Sequence, residues 1–172
     1  MSAESLFAIV VLLGLLGIAV VGDLRHHRIP NALILLGLGL GVAGQIHSTG
    51  LTGLGYGVLG MFIGFSLFIP MYALGGMAAG DVKLMAMVGA FLTPHDVLSA
   101  ALFSLISGGV LGILIVLIRG QLQQTLQRYW LILRAGSYLA PTADEVAAKP
   151  FPYSVAILSG TLVSLFGLPL GL

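Results

Sequence analysis

Six carboxylates occur in the 172 residues, and two of them, Asp23 and Asp81, stand at the polar ends of strongly apolar runs. An ionisable residue at the edge of a membrane-crossing segment is costly unless it is solvated or used. Two carboxylates held at one depth can share a single proton, because like charges a few Å apart do not both ionise readily. A protonated acid beside a carboxylate is the pair needed to activate a water and polarise a peptide carbonyl. Each residue also has a plainer reading. Asp23 fits a solvated boundary residue paired with Arg25 or Arg28, and Asp81 fits a helix N-cap beside Gly80 that satisfies free amides.

The remaining polar residues offer less chemistry. His26 and His27 are adjacent and diverge, and no further His or Glu joins them at ligand spacing, so no metal is expected. Lys83 follows Asp81 by two residues, a spacing at which helical side chains do not face each other; it reads as an interfacial anchor. His95 and Asp96 fall in a turn, Asp144 and Glu145 in a polar loop, and all four read as solvated surface. The absence of cysteine excludes a disulfide framework, a thiolate nucleophile and thiolate-ligated metal.

The elements that must hold these residues are membrane spans. Hydrophobic residues make up 58% of the chain and charged ones 8%, against roughly 25% charged in a soluble domain. The net charge of +1 offers no surface for nucleic acid. A span takes roughly 20 apolar residues, and six apolar runs are present: Ser5 to Gly22, Ala32 to about Gln45, Leu51 to Leu74, Leu84 to Leu92, Val97 to Ile118 and Tyr153 to Leu172. They are apolar on every face, without the alternation of a closed barrel. The expectation is a single all-α domain over 1–172, a polytopic membrane helix bundle of about six spans. No Lys or Arg precedes the first run, so it reads as a retained span and not a secretory signal. Between Gly120 and Pro150, Leu122, Leu126, Tyr129 and Leu133 recur at helical spacing among glutamines, predicting an amphipathic helix in the inner interface. Gly57, Gly60 and Gly64 share one helix face and predict close backbone packing.

Six spans with the N-terminus outside place Arg25, Arg28, Lys83, Arg119, Arg128, Arg134 and Lys149 inside, which is every Lys and Arg in the chain. That asymmetry requires the short fourth run to cross. Asp23 and Asp81 then reach the same side although 58 residues separate them in sequence.

Asp23-Leu24-Arg25-His26-His27-Arg28-Ile29-Pro30-Asn31, with Gly75-Gly76-Met77-Ala78-Ala79-Gly80-Asp81-Val82-Lys83-Leu84, resembles the prepilin peptidase family. More narrowly it resembles the short CpaA/TadV-type members of Flp (Tad) pilus systems. Pro150-Phe151-Pro152-Tyr153 is similar to a further motif common there. The resemblance implies a polytopic aspartic endopeptidase of the bacterial inner membrane that cuts a short leader from pilin or pseudopilin precursors at the cytoplasmic face. It maps the catalytic pair onto Asp23 and Asp81, with Arg28, Pro30, Asn31, Gly76, Gly80, Lys83, Pro152 and Tyr153 as supporting positions. Ala78 stands where the family's G-x-G-D motif has its first glycine. Longer members carry an insertion with paired cysteines and methylate the new pilin N-terminus; here no cofactor, S-adenosylmethionine included, is implied. The implied partners are the precursor and the lipid bilayer, with no nucleic acid; homo-oligomer formation is left open. Two other readings stand beside this one: a transporter or proton-coupled channel using the paired Asp, and a non-catalytic pilus assembly factor.

Overall fold

The computed structural model describes residues 3–135 and 152–167. Seven helices are present among them: α1 (Ala3–His26), α2 (Asn31–Thr49), α3 (Leu51–Ala73), α4 (Ala79–Phe91), α5 (Pro94–Ile118), α6 (Leu122–Ala135) and α7 (Tyr153–Phe166). Six apolar helices and one amphipathic one answer the expectation of an all-α bundle. α1, α2, α3 and α5 are each long and apolar enough to cross a membrane. Large apolar side chains such as Phe7, Leu35, Phe62 and Ile106 point outward on these helices, as a lipid-facing surface requires. The protein is a multi-pass membrane protein.

The chain divides into two compact units, Met1–Gly108 with Pro152–Leu172, and Gly109–Phe151. The first holds both carboxylates of interest. At its centre is α4, packed against α1, α2, α3 and α7. Nine of its 13 residues are buried, including Val82, Leu84, Met85, Met87 and Val88. At 1.5 Å per residue α4 spans only about 20 Å, short of the roughly 30 Å apolar core. A helix enclosed by its neighbours has no lipid contact that demands full length.

Glycine makes that enclosure tight. A Cβ at Gly60 of α3 would overlap the Gly89 carbonyl of α4, and one at Gly64 would crowd the Met85 carbonyl. The stripe on α3 therefore packs backbone against backbone, which adds dispersion contacts where lipid offers no hydrophobic drive. Gly39 and Gly44 of α2 differ: nothing lies within 4 Å of where their Cβ would be.

Helix ends depart from the apolar runs. α1 continues past Gly22 to His26, because nothing breaks the helix before Pro30, and Asp23 therefore lies in its last turn. His27 then turns left-handed at φ 50°, donating its N–H to the Asp23 carbonyl at 2.7 Å. α2 runs through Gln45 to Thr49, and Gly50 at φ 63° is the single residue joining it to α3. α3 ends in a Schellman motif: Gly75 has φ 74°, and the Gly76 N–H reaches back to the Met71 carbonyl at 2.8 Å. α4 begins at Ala79, five residues before its apolar run, which draws Asp81 into its first turn. Thr93 starts α5: its hydroxyl lies 2.7 Å from the Asp96 carboxylate and accepts the Asp96 N–H.

In the second unit, α6 realises the amphipathic pattern over Leu122–Ala135, with the Arg134 guanidinium 5.0 Å from the centre of the Trp130 ring. The rest of the expected loop, with Asp144, Glu145 and Lys149, lies outside the described residues, as do Leu168 to Leu172.

Candidate active site

The last turn of α1 and the first turn of α4 lie at the same end of the bundle. Asp23 is 8% exposed and Asp81 3%, and the two carboxylates interact electrostatically. Burial removes the reading of Asp23 as a solvated boundary residue. Arg25 and Arg28 are exposed, and among the described residues neither forms an ion pair with it. Its partner is Ser154 in the first turn of α7, whose hydroxyl donates to Asp23 Oδ2 at 2.6 Å. Ser154 is itself fully buried.

Asp81 occupies the third position of α4, and its Oδ2 accepts the N–H of Ala78 at 3.1 Å. This is the returning half of a capping box: the N-cap itself is Ala78, not Asp81, and Asp81 bonds back to it from the third helical position with one of its two oxygens. Ala78 is extended, at φ −82° and ψ 154°, a conformation any residue adopts. The alanine at the first motif glycine therefore carries no backbone strain here. Gly80 lies against Ile29, and a Cβ there would make ordinary contact at 3.6 Å.

Both carboxylates thus lie beside helix N-termini, Asp81 in that of α4 and Asp23 against that of α7. The partial positive charge of such an end favours an anion. In each case Oδ2 is held by one donor, while Oδ1 makes no hydrogen bond among the described residues.

The supporting residues separate into those near the pair and those that shape the elements. Tyr153 is buried beside Ser154, stacks edge-on against Phe68 with ring centres 5.8 Å apart, and interacts electrostatically with Asp81. Its hydroxyl donates to the Ser104 carbonyl at 3.2 Å, in space that Gly108 leaves open. Pro152 precedes α7 and Pro30 precedes α2, each at an N-cap. Lys83 is exposed and donates to Asn31 Oδ1 at 3.1 Å, tying α4 to the start of α2. Gly76 belongs to the stop of α3. Arg28, His26 and His27 are exposed, and among the described residues no group of three His, Asp or Glu could hold a metal. Pro150 and Phe151 lie outside the described residues.

Hollows open on the flanks of the bundle among the described residues. One of about 400 Å³ runs between α2, α3 and α4 beside Asn31 and Lys83. A larger one, about 880 Å³, lies at the opposite end among Glu4, His47, Phe91 and Asp96, and neither Asp23 nor Asp81 lines it.

Ser154 was not legible as a site residue. A serine one step into an apolar helix needs a partner if buried, but nothing in a linear pattern indicates one 131 residues away.

Comparison with known proteins bears on this arrangement. Residues 10–113 match the family described as Type IV leader peptidase family, a stretch that contains α2, α3, α4 and both carboxylates. A "Prepilin leader peptidase/N-methyltransferase" of Bacillus subtilis is 33% identical over 162 residues, 92% of this chain and 55% of the relative. Proteins of the same description from Myxococcus xanthus and Xanthomonas campestris are each 31% identical, over 77% and 58% of this chain and 38% and 37% of their own lengths. The chain thus spans about half or less of the length of these curated relatives. No solved structure matches. With most of its bundle matched, including the stretches that carry Asp23 and Asp81, the chain belongs to the type IV leader peptidase family.

Proposed function

We propose that the protein is an aspartic endopeptidase of the inner membrane that removes the leader from a pilin or pseudopilin precursor at the cytoplasmic face, with Asp23 and Asp81 as its catalytic dyad. The observation that carries this reading is that two buried carboxylates, from α1 and α4, lie near enough to interact electrostatically, each with one oxygen held and one that makes no hydrogen bond among the described residues. One carboxyl is protonated and the other ionised. The ionised one takes a proton from water as the oxygen attacks the scissile carbonyl, and the protonated one gives its proton to the carbonyl oxygen. The resulting diol collapses as the newly protonated carboxyl gives its proton to the departing amine nitrogen while the other carboxylate takes the proton of a diol hydroxyl, so the C–N bond breaks, the carboxyl product forms and the dyad again holds one proton.

Placement of the site at the cytoplasmic face rests on the seven Lys and Arg, all of which a six-span chain with its N-terminus outside puts inside. A precursor whose basic leader stays in the cytoplasm and whose apolar helix enters the bilayer would present its scissile bond at the depth of Asp23 and Asp81. We assign leader cleavage of Flp (Tad) pilins without N-methylation: the chain has no cysteine, and only His27 to Pro30 separate α1 from α2.

The test is purified protein in detergent mixed with a synthetic pilin precursor. Cleavage between leader and apolar helix, seen as two fragments of the expected masses, supports the reading. An intact precursor, with ion flux appearing in proteoliposomes, replaces it with transport.

A further inference from the structure

The hydroxyl of Ser154 is spent differently from its neighbours in the bundle. Ser104 and Thr161 are equally buried, and each back-bonds within its own helix: Ser104 to the Ala100 carbonyl at 2.6 Å, with a longer contact of 3.5 Å to the Ile157 carbonyl of α7, and Thr161 to the Ile157 carbonyl at 2.7 Å. Such back-bonding satisfies a buried hydroxyl without reference to any other element. Ser154 has no preceding helical turn to bond, because α7 starts at Tyr153. It donates across to α1, onto Asp23 Oδ2, at 2.6 Å. That length lies in the range of hydrogen bonds from a hydroxyl to an ionised carboxylate, about 2.5–2.7 Å.

We propose that Ser154 is a positioning residue for Asp23, holding its carboxylate so that Oδ1 is the free oxygen of the dyad. The proposal rests on the peptidase reading above. An aspartate at the end of a helix has two side-chain torsions and, unheld, would sample several orientations. With Oδ2 fixed by Ser154, and Oδ2 of Asp81 fixed by the Ala78 N–H, the two free oxygens have one relative placement. The dyad's geometry is then fixed before substrate arrives. Misplacing a reacting group by about 1 Å costs on the order of a hundredfold in rate, so the loss of one such bond is visible in turnover. Ser154 touches no substrate in this role and leaves binding alone.

The experiment compares wild type with Ser154→Ala, Ser154→Thr and Thr161→Val on a synthetic precursor, with kcat and KM measured separately. Ser154→Ala is expected to lower kcat at least about tenfold, the effect of weakening one charged hydrogen bond, with KM close to wild type. Ser154→Thr keeps the hydroxyl and recovers most of kcat. Thr161→Val removes an equally buried hydroxyl from the same helix and leaves both constants unchanged, which separates positioning from packing. Wild-type kcat in Ser154→Ala, or turnover in Ser154→Thr as slow as in Ser154→Ala, overturns the assignment while leaving the peptidase reading intact. A wild-type chain that cleaves nothing removes both.

Discussion

Gly60 of α3 and Gly89 of α4 meet backbone to backbone, and neither has room for a Cβ: one built on either residue would overlap the carbonyl of the other. The contact sets the distance between the two helices. Since α4 carries Asp81 eight residues before Gly89, about 12 Å along its axis, any outward shift of α4 moves that carboxylate relative to Asp23 on α1. The first expectation is therefore that Gly60→Ala and Gly89→Ala destabilise the bundle by about 1–3 kcal/mol, the range for overpacking, and lower cleavage as well. Gly39→Ala and Gly44→Ala, made into open space, leave both unchanged. Thermal unfolding in detergent alongside the cleavage assay distinguishes the two sets.

Asp23→Asn and Asp81→Asn are expected each to abolish cleavage in folded, inserted protein. Asparagine keeps a carbonyl oxygen to accept from Ser154 or from the Ala78 N–H, so both structural bonds survive, but an amide can neither take the proton of the attacking water nor alternate between acid and base. The double variant is expected to be scarcely worse than either single one, because members of one catalytic unit are not additive. Rate against pH is bell-shaped in the wild type, with two apparent constants belonging to the pair. Asp96→Asn, at the opposite end of the bundle, cleaves normally. Substantial turnover by either single variant refutes the dyad.

Lys83 and Asn31 join α4 to α2 on an exposed face. A single exposed hydrogen bond of this kind contributes only about 0.5–1.5 kcal/mol. Lys83→Met is expected to lower the unfolding midpoint slightly and leave kcat within about twofold of wild type, since one weak bond is a small part of total stability. A double-mutant cycle with Asn31→Ala measures the coupling. Loss of turnover in Lys83→Met with an unchanged midpoint would assign the lysine a part in catalysis.

Chelation is expected to leave the cleavage rate unchanged, because the proposed reaction runs on two carboxyl groups and one water. The check is activity after treatment with a strong chelator and after adding back single divalent metals. Activity lost to the chelator and restored by one metal would bring His26 and His27 back into consideration.

Topology is open to a direct probe, because the native chain has no cysteine and each introduced one is unique. Ser48→Cys and His95→Cys are exposed at the end of the bundle remote from Asp23 and Asp81. Both are expected to react with an impermeant thiol reagent added outside the cell. Ala143→Cys is expected to react only after the membrane is opened. Labelling of position 143 in intact cells contradicts an N-terminus outside.

The spans were legible because lipid imposes one requirement, an unbroken apolar surface about 20 residues long, which α1, α2, α3 and α5 meet directly. The two carboxylates were legible because charge is expensive there. Helix ends were less so. α4 starts five residues before its apolar run because the Ala78 N–H and the Asp81 carboxylate satisfy each other, a local bond that hydropathy does not register. The glycine stripe on α3 reads correctly from its spacing, whereas Gly39 and Gly44 of α2, similar in sequence, face open space. Which side of a helix meets a neighbour depends on the whole bundle. Ser154 shows the same limit most sharply, since its partner is fixed by how α7 docks on α1.

The 131 residues between Asp23 and Ser154 are also an interval of time. At about 5–20 residues per second, the helix that carries Ser154 is made on the order of ten seconds after Asp23. Throughout that interval the nascent chain lacks the hydroxyl that holds Asp23 in the folded bundle. A chain stalled or mis-threaded before α7 is synthesised leaves the carboxylate unanchored, however well its earlier helices have packed. Competence of the proposed dyad would then wait for α7 to be threaded, and a chain halted before it would be a silent one.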